Sequence, residues 1–342
     1  MENEKCELPV LSEEVKLKLK KIANQVFLNN KGLLATDESE STLGKKLLQL
    51  GIKNDINNRT NFRKCFYDVQ GIEKYISGII LNEEAFDQLD TKDTSFPDMI
   101  ESKGILVGLK VDKGLMSFEK NEFFSVGIDD LNNRLKENKY KNVSFVKWRS
   151  LFKVIPGSLP TDECIEKNCL NLCRYAVISQ NNGIVPIIEP EISYEGNYSI
   201  QEMQMVAKKI YSTLFKYLNT FNAYIPGIIL KVSFITSSND CKNQVSLDEI
   251  GKLNIEILMD TIPPAVAGIV YLSGGHSSQD SFKILSAIQK YKSIHSLSFS
   301  FARALTNDSL EIWKGKEENL DIARKVFIQR LEECLKANKG KF

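Results

Sequence analysis

The sequence predicts an α/β protein: a single (β/α)8 TIM barrel over residues 1–342 with an extra N-terminal helix. Three observations predict it. Eight short apolar or β-branched runs punctuate the chain, longer amphipathic and charged stretches lie between them, and no break in composition divides the chain in two. A run without alternation fits a strand buried on both faces, as in a parallel sheet. Eight strand–helix units in one chain close most simply as a barrel.

In chain order, an amphipathic helix over 13–29 precedes the first run at 32–35, and a helix over 42–50 follows it. Runs at 75–81 and 105–111 come next, then a helix over 129–138 and the run 143–148. From there the alternation is regular: helix 161–181, run 184–188, helix 200–219, run 227–230, helix 247–260, run 267–272, helix 278–291 and run 296–301. A last helix over 317–338 follows. There is no low-complexity segment, Pro/Ser linker or short-period repeat.

Composition narrows the function. At ~150 residues per domain, 342 residues could make two domains, but α/β barrels routinely exceed ~200 residues as one. With 45 Lys+Arg against 44 Asp+Glu, the chain has no electrostatic basis for nucleic acid or an acidic membrane surface. Two His argue against a His-rich metal site. Residues 1–21 are charged throughout and lack an apolar stretch of ~7–15 residues. The longest apolar stretch, near 263–272, is far short of the ~20 residues that span a bilayer. A cytoplasmic protein with no membrane insertion is expected. The seven cysteines form no C-x-x-C; Cys164, Cys169 and Cys173 have helical spacing, and reduced thiols are expected.

In a (β/α)8 barrel the chemistry sits at the C-terminal ends of the strands. The polar residues at or just past the eight runs are Asp37, Glu83, Lys110 with Asp112, Lys147 with Arg149, Glu189, Lys231, Ser273-Gly274-Gly275 and Arg303. Lysines are costly to bury, yet Lys147 follows Val-Ser-Phe-Val and Lys231 follows Gly-Ile-Ile-Leu. A desolvated lysine near other cations has a lowered pKa and attacks carbonyls as a neutral amine. Neighbouring carboxylates then shuttle protons through carbinolamine, imine and enamine steps. Ser-Gly-Gly after strand 7 and an Arg after strand 8 fit a phosphate site of backbone N–H groups and a guanidinium. Together these are the parts for Schiff-base chemistry on a phosphorylated carbonyl compound. Singly, each has a plainer reading. Asp37 reads as a helix N-cap, Glu189 and Glu191 as solvated loop carboxylates, Lys231 as a snorkelling strand-end lysine, Gly274-Gly275 as a turn, and His276 and His295 as structural. Their joint placement at successive strand ends favours the functional reading.

These residues lie in motifs that resemble class I fructose-1,6-bisphosphate aldolases along essentially the whole chain. The motifs are KGLLATDES (31–39), VGLKVDKG (107–114), FVKWR (145–149), RYAVISQNNGIVPIIEPEI (174–192), IILK (228–231), PPAVAGIVYLSGGHS (263–277), FSFARAL (299–305) and WKGKEENL (313–320). The resemblance implies a metal- and cofactor-independent lyase that reversibly cleaves fructose 1,6-bisphosphate into dihydroxyacetone phosphate and glyceraldehyde 3-phosphate in glycolysis and gluconeogenesis. It implies Lys231 as the Schiff-base lysine, Asp37 at the C4 hydroxyl, Glu189 as acid/base in carbinolamine dehydration, and Lys147 as stabiliser of developing charge. Lys110 and Arg149 fall where the family contacts substrate phosphate and hydroxyls, Ser273, Gly274 and Arg303 at the other phosphate site, with Glu191 a supporting carboxylate. It further implies a homotetramer, and some members bind actin or the cytoplasmic tails of adhesins.

The chain departs from the pattern at several points. Val232-Ser233-Phe234 stands after the lysine for Pro-Asn-Met, Thr36 and Ala302 stand for Ala and Gly, His276 for Gln, and Lys46 for an Arg whose bidentate contact it cannot make. Members usually continue past a G-K-Y sequence into a tail ending in Tyr, where this sequence reads Gly340-Lys341-Phe342. A slower or less bisphosphate-selective enzyme is expected. Two other functions fit the same residues: a Schiff-base aldolase or transaldolase for another sugar phosphate, and a binding or scaffold protein with weakened catalysis.

Overall fold

A computed structural model describes residues 10–90, 93–117 and 119–342. Eight parallel strands close into a barrel: β1 (Gly32–Ala35), β2 (Ile76–Leu81), β3 (Leu106–Lys110), β4 (Phe145–Phe152), β5 (Val185–Ile192), β6 (Ile229–Val232), β7 (Gly268–Tyr271) and β8 (Leu297–Phe301). Each strand pairs with its sequence neighbours, and β1 closes the ring against β8 with Leu33 opposite Ser300. Every strand expected from the sequence is present.

Two strands outrun the expectation. Their apolar runs end at Trp148 and Ile188, but β4 and β5 pair without interruption from Phe145–Val185 to Phe152–Ile192. The continuation alternates, with Arg149 and Glu189 on the inner face while Trp148, Phe152, Ile188 and Ile192 are buried outside. The apolar runs stop short of this extension, which carries three of the ten candidate residues, Arg149, Glu189 and Glu191.

Two cores flank the sheet. The larger, outer core packs the strands' outward residues against the helices. The inner one is Leu33, Ala35, Ile80, Phe145, Val185, Ile187, Ile229 and Val270, closed at the bottom by Leu19, Ala23 and Val26 around the N-terminal helix Glu13–Gln25. Phe145 fills the lower barrel because its neighbours are glycine: a Cβ on Gly108 would lie 2.0 Å from its ring, and one on Gly78 2.8 Å. The barrel is thus solid below its polar upper layer.

The helices follow the expected order with shifted ends. The first stops at Gln25 and gives way to a 3-10 turn, Leu28–Asn30, where Asn29 and Asn30 have positive φ. The expected helix 129–138 shortens to Leu131–Leu135 plus a 3-10 turn at Asn138–Tyr140. Helices Ile56–Tyr67, Phe96–Ser102 and Arg303–Trp313 and a hairpin of Leu115–Ser117 with Phe123–Ser125 were not anticipated. Helix Ile56–Tyr67 hides from a hydrophobic-period reading because its buried face includes Arg59 and Arg63. Among the described residues no helix is long and apolar enough to cross a membrane. Cys164, Cys169 and Cys173 are buried free thiols on one helix; Cys6 lies outside the described residues.

Candidate active site

The C-terminal ends of the strands open into a cleft of about 500 Å³. All ten residues predicted from the sequence line it: Asp37, Lys110, Lys147, Arg149, Glu189, Glu191, Lys231, Ser273, Gly274 and Arg303. Glu83 does not. It starts the short helix after β2, half exposed, and pairs with Arg134 at 3.3 Å. The strand-end rule fails there because the chain turns into a helix at once, carrying the side chain outward.

At the centre is a buried row of alternating charge. Lys231 Nζ lies 3.0 Å from Glu189 Oε1, Glu189 Oε2 lies 2.5 Å from Lys147 Nζ, and Lys147 donates to Asp37 Oδ2 at 2.8 Å. The two Glu189 contacts are ion pairs without hydrogen-bond alignment, so that carboxylate retains acceptor capacity toward a ligand. The four side chains are all nearly inaccessible to solvent. Burial alone drives a carboxyl toward neutrality. Here it is outweighed: burial pushes Asp37 up, but Lys147 and Lys231 hold it down at about 2. Glu189 is likewise raised by burial and lowered more by Lys147 and Lys231. For Lys147 the sequence expectation of a depressed pKa is reversed. Burial lowers it, but Asp37 and Glu189 raise it well above the ordinary value, so it stays a cation. The sequence places both cations and carboxylates near these lysines; folding sets the carboxylates in direct contact with Lys147.

Register explains the row. Arg149 lies opposite Glu189 across β4 and β5, and Lys110 lies opposite Lys147 across β3 and β4. Two residues further along β5, Glu191 takes Arg149 Nε at 2.5 Å. Asp37 follows β1 by two residues. It is free to face Lys147 because Ser39, not Asp37, caps the helix Glu40–Gln49, accepting from Thr42 N at 3.2 Å. That settles the N-cap alternative.

A ring of further polar groups surrounds the row. Lys110 Nζ meets Asp112 Oδ1 at 2.8 Å and the Asp112 carbonyl at 2.7 Å, and the other carboxylate oxygen accepts from Arg149 N at 3.3 Å. Asp112 therefore ties the β3 and β4 ends together, a role that only register reveals. Lys46 pairs with Glu38 at 2.5 Å. Ser300, buried on the inner face of β8, leaves its hydroxyl without a protein partner. Counting by twos back from Ala302 would have found it.

On the far side is the loop after β7. Gly274 has φ 55°, and a Cβ there would lie 2.1 Å from the Tyr194 ring, so both conformation and space require glycine. Arg303 donates to the Gly274 carbonyl and opens the helix Arg303–Trp313, whose N-cap, Ala302, offers no side-chain acceptor. Leu305 N donates to the Ala302 carbonyl at 3.0 Å, which leaves the N–H groups of Arg303 and Ala304 for an anion or water. Arg303 is the one cation of the cleft with no carboxylate partner among the described residues. His276 packs edge-on to Tyr194 at 4.5 Å and beside Phe234 at 6.0 Å, and Phe234 stacks on Tyr271 at 5.0 Å. Two departures from the family pattern, His276 and Phe234, thus meet in one aromatic layer under the loop. His295 lies away from the cleft.

The arrangement sets a lysine beside a buried carboxylate, a second carboxylate against a fixed cation, and an arginine at a helix N-terminus on the opposite wall. A family model described as fructose-bisphosphate aldolase class-I matches residues 18–342. A fructose-bisphosphate aldolase of Encephalitozoon cuniculi is 41% identical over 327 residues, 95% of this chain and 96% of that protein. Fructose-bisphosphate aldolase B of Homo sapiens is 34% identical over 98% of this chain and 93% of its own length. A solved fructose-bisphosphate aldolase from Plasmodium falciparum, in complex with TRAP and a small-molecule inhibitor, superposes with a TM-score of 0.95 at 35% identity. That match covers 98% of this chain and 97% of the other.

Proposed function

The chain belongs to the class-I fructose-bisphosphate aldolase family, and from that premise we propose which of its side chains carries each step. The enzyme is a lyase that reversibly cleaves fructose 1,6-bisphosphate into dihydroxyacetone phosphate and glyceraldehyde 3-phosphate through a lysine imine.

Lys231 supplies the amine. Its ammonium gives a proton to Glu189, 3.0 Å away, and the free amine adds to the ketose C2 carbonyl. Glu189 returns that proton to the carbinolamine oxygen, which leaves as water, and the protonated imine becomes the electron sink. Asp37 takes the C4 hydroxyl proton while the C3–C4 bond breaks. The bond's electron pair moves into the imine to give the enamine, and glyceraldehyde 3-phosphate leaves. Protonation at C3 and addition of water at C2 then release dihydroxyacetone phosphate and the lysine. Lys147, a fixed cation between Asp37 and Glu189, keeps both carboxylates ionised at the start of the cycle and steadies charge as protons move. Ser273, Gly274 and Arg303 bind one phosphate; Lys110 and Arg149, the latter braced by Glu191, take the other phosphate and hydroxyls.

The observation that carries this assignment is the contact of one buried carboxylate, Glu189, with both lysines. Borohydride reduction in the presence of dihydroxyacetone phosphate, followed by peptide mass mapping, tests it. An adduct on Lys231 is the expected result; a folded protein with no adduct, or one elsewhere, would overturn it. Turnover on bisphosphate against monophosphate ketoses separates this activity from a Schiff-base aldolase for another sugar phosphate. The proposal extends to one catalytic domain, a cytoplasmic homotetramer, with binding of adhesin tails or actin near the cleft mouth. Support for the last is the relative seen with TRAP. A pull-down that fructose 1,6-bisphosphate competes away is the expected result for a shared surface.

A further inference from the structure

Thr36, one of the departures from the family pattern, sits immediately before Asp37 and has a built environment. Its backbone N–H donates to the Ile80 carbonyl at 3.0 Å, and its hydroxyl donates to the same carbonyl at 2.9 Å. A hydroxyl has one proton. The 2.6 Å contact between Thr36 Oγ1 and Tyr67 Oη is therefore donated by Tyr67. Tyr67 is the last residue of helix Ile56–Tyr67, fully buried, with its ring edge-on to Phe96 at 5.0 Å. Burial pushes its phenol up to about 12, so it remains a donor across the working range.

The helix that presents Tyr67 is itself pinned. Arg63 donates to Glu84 at 2.5 Å and to Gln88 at 2.8 Å, and Arg59 takes the same Glu84 carboxylate. On the other side of Asp37, Asn82 donates to the Glu38 carbonyl at 2.9 Å while its side-chain oxygen accepts from Ala85 N. The β1 end is thus held before and after Asp37, and Asp37 itself touches Lys147.

We propose that Tyr67 and Thr36 form a latch that positions Asp37 for deprotonating the C4 hydroxyl, making Tyr67 a positioning residue for carbon–carbon cleavage although it never touches substrate. This rests on the assignment of Asp37 to that proton. A displacement of about 1 Å at a reacting group costs ~10²-fold in rate, so a latch that removes fractions of an ångström of freedom has a measurable effect.

Two half-reactions separate the latch from general support of the fold. Imine formation with dihydroxyacetone phosphate needs Lys231 and Glu189; cleavage of fructose 1,6-bisphosphate needs Asp37 as well. Tyr67→Phe removes only the hydroxyl and keeps the ring against Phe96. It is expected to lower kcat for cleavage about three- to tenfold, the range one neutral hydrogen bond supports, with borohydride trapping on Lys231 unchanged. Thr36→Val is expected to do the same, and the double variant to be no worse than the more impaired single. Asp37→Asn is measured beside them. Cleavage lost in Asp37→Asn but unchanged in Tyr67→Phe would overturn the latch and leave the Asp37 assignment standing. Cleavage retained in Asp37→Asn would overturn that assignment and the latch with it. Equal loss of trapping and cleavage, or additive losses in the double variant, would reduce Tyr67 to a packing residue and overturn the proposal.

Discussion

Replacing Lys147 by Met keeps the length of the side chain and removes the cation that separates Asp37 from Glu189. The contacts at 2.8 and 2.5 Å then become two buried carboxylates facing one gap. Asp37 is held at about 2 against an ordinary 3.8, a difference on the order of 2 kcal/mol. With Lys147 gone, burial, the largest influence, and the nearby Glu189 charge are expected to outweigh the pull of Lys231 and Lys110 and push it above the ordinary value. Breaking a buried pair from one side costs about 3–5 kcal/mol, and the variant is expected to lose that at pH 7.5. The sign with pH follows from linkage. In the wild type, Asp37's contribution is complete above pH 3.8 and is lost only as pH falls through about 2. In the variant its folded pKa exceeds the unfolded one, so acidification stabilises it relative to wild type. Urea midpoints at pH 5 and 7.5 measure this. The kcat profile from pH 5 to 9 is expected to fall about 10²-fold or more at pH 7.5 and to gain an acid limb that the wild type lacks. A profile parallel to wild type, with an unchanged pH dependence of the urea midpoint, would refute the account of Lys147.

Arg303→Ala removes the cleft cation that has no carboxylate partner among the described residues. A charged hydrogen bond is worth about 1.5–3 kcal/mol, so kcat/KM for the bisphosphate should fall roughly ten- to a hundredfold, mostly in KM, with trapping on Lys231 preserved at saturating ligand; a pure kcat effect would count against a phosphate role. Gly108→Ala sets a methyl 2.0 Å from the Phe145 ring below the catalytic layer. Overpacking of this kind costs about 1–3 kcal/mol, to be read from denaturant unfolding, and stability within about 0.5 kcal/mol of wild type would show that Phe145 can move aside.

Much of this was legible in the linear chain because two signals are local. Apolar runs mark strands buried on both faces, and polar residues at their ends mark the barrel mouth. Where a signal was not local, the reading failed for identifiable reasons. Helix Ile56–Tyr67 buries arginines on Glu84, so its inner face looks polar in sequence. Glu83 obeys the strand-end rule in sequence but is carried outward by the helix it begins. Thr36 stands in the sequence only as a departure from the family pattern, because its partner, Tyr67, is distant along the chain.

The sequence by itself determined the barrel, the order of its strands and, Glu83 and Ser300 apart, which side chains stand at its mouth, because hydrophobic periodicity and residue chemistry are properties of neighbours along the chain. Only the tertiary structure decided which carboxylate faces which lysine. It set Glu189 between Lys231 and Lys147, made Lys147 a fixed cation, and freed Asp37 from the helix cap. Those pairings depend on the register between strands, and a shift of one residue would turn every inward charge to the opposite face.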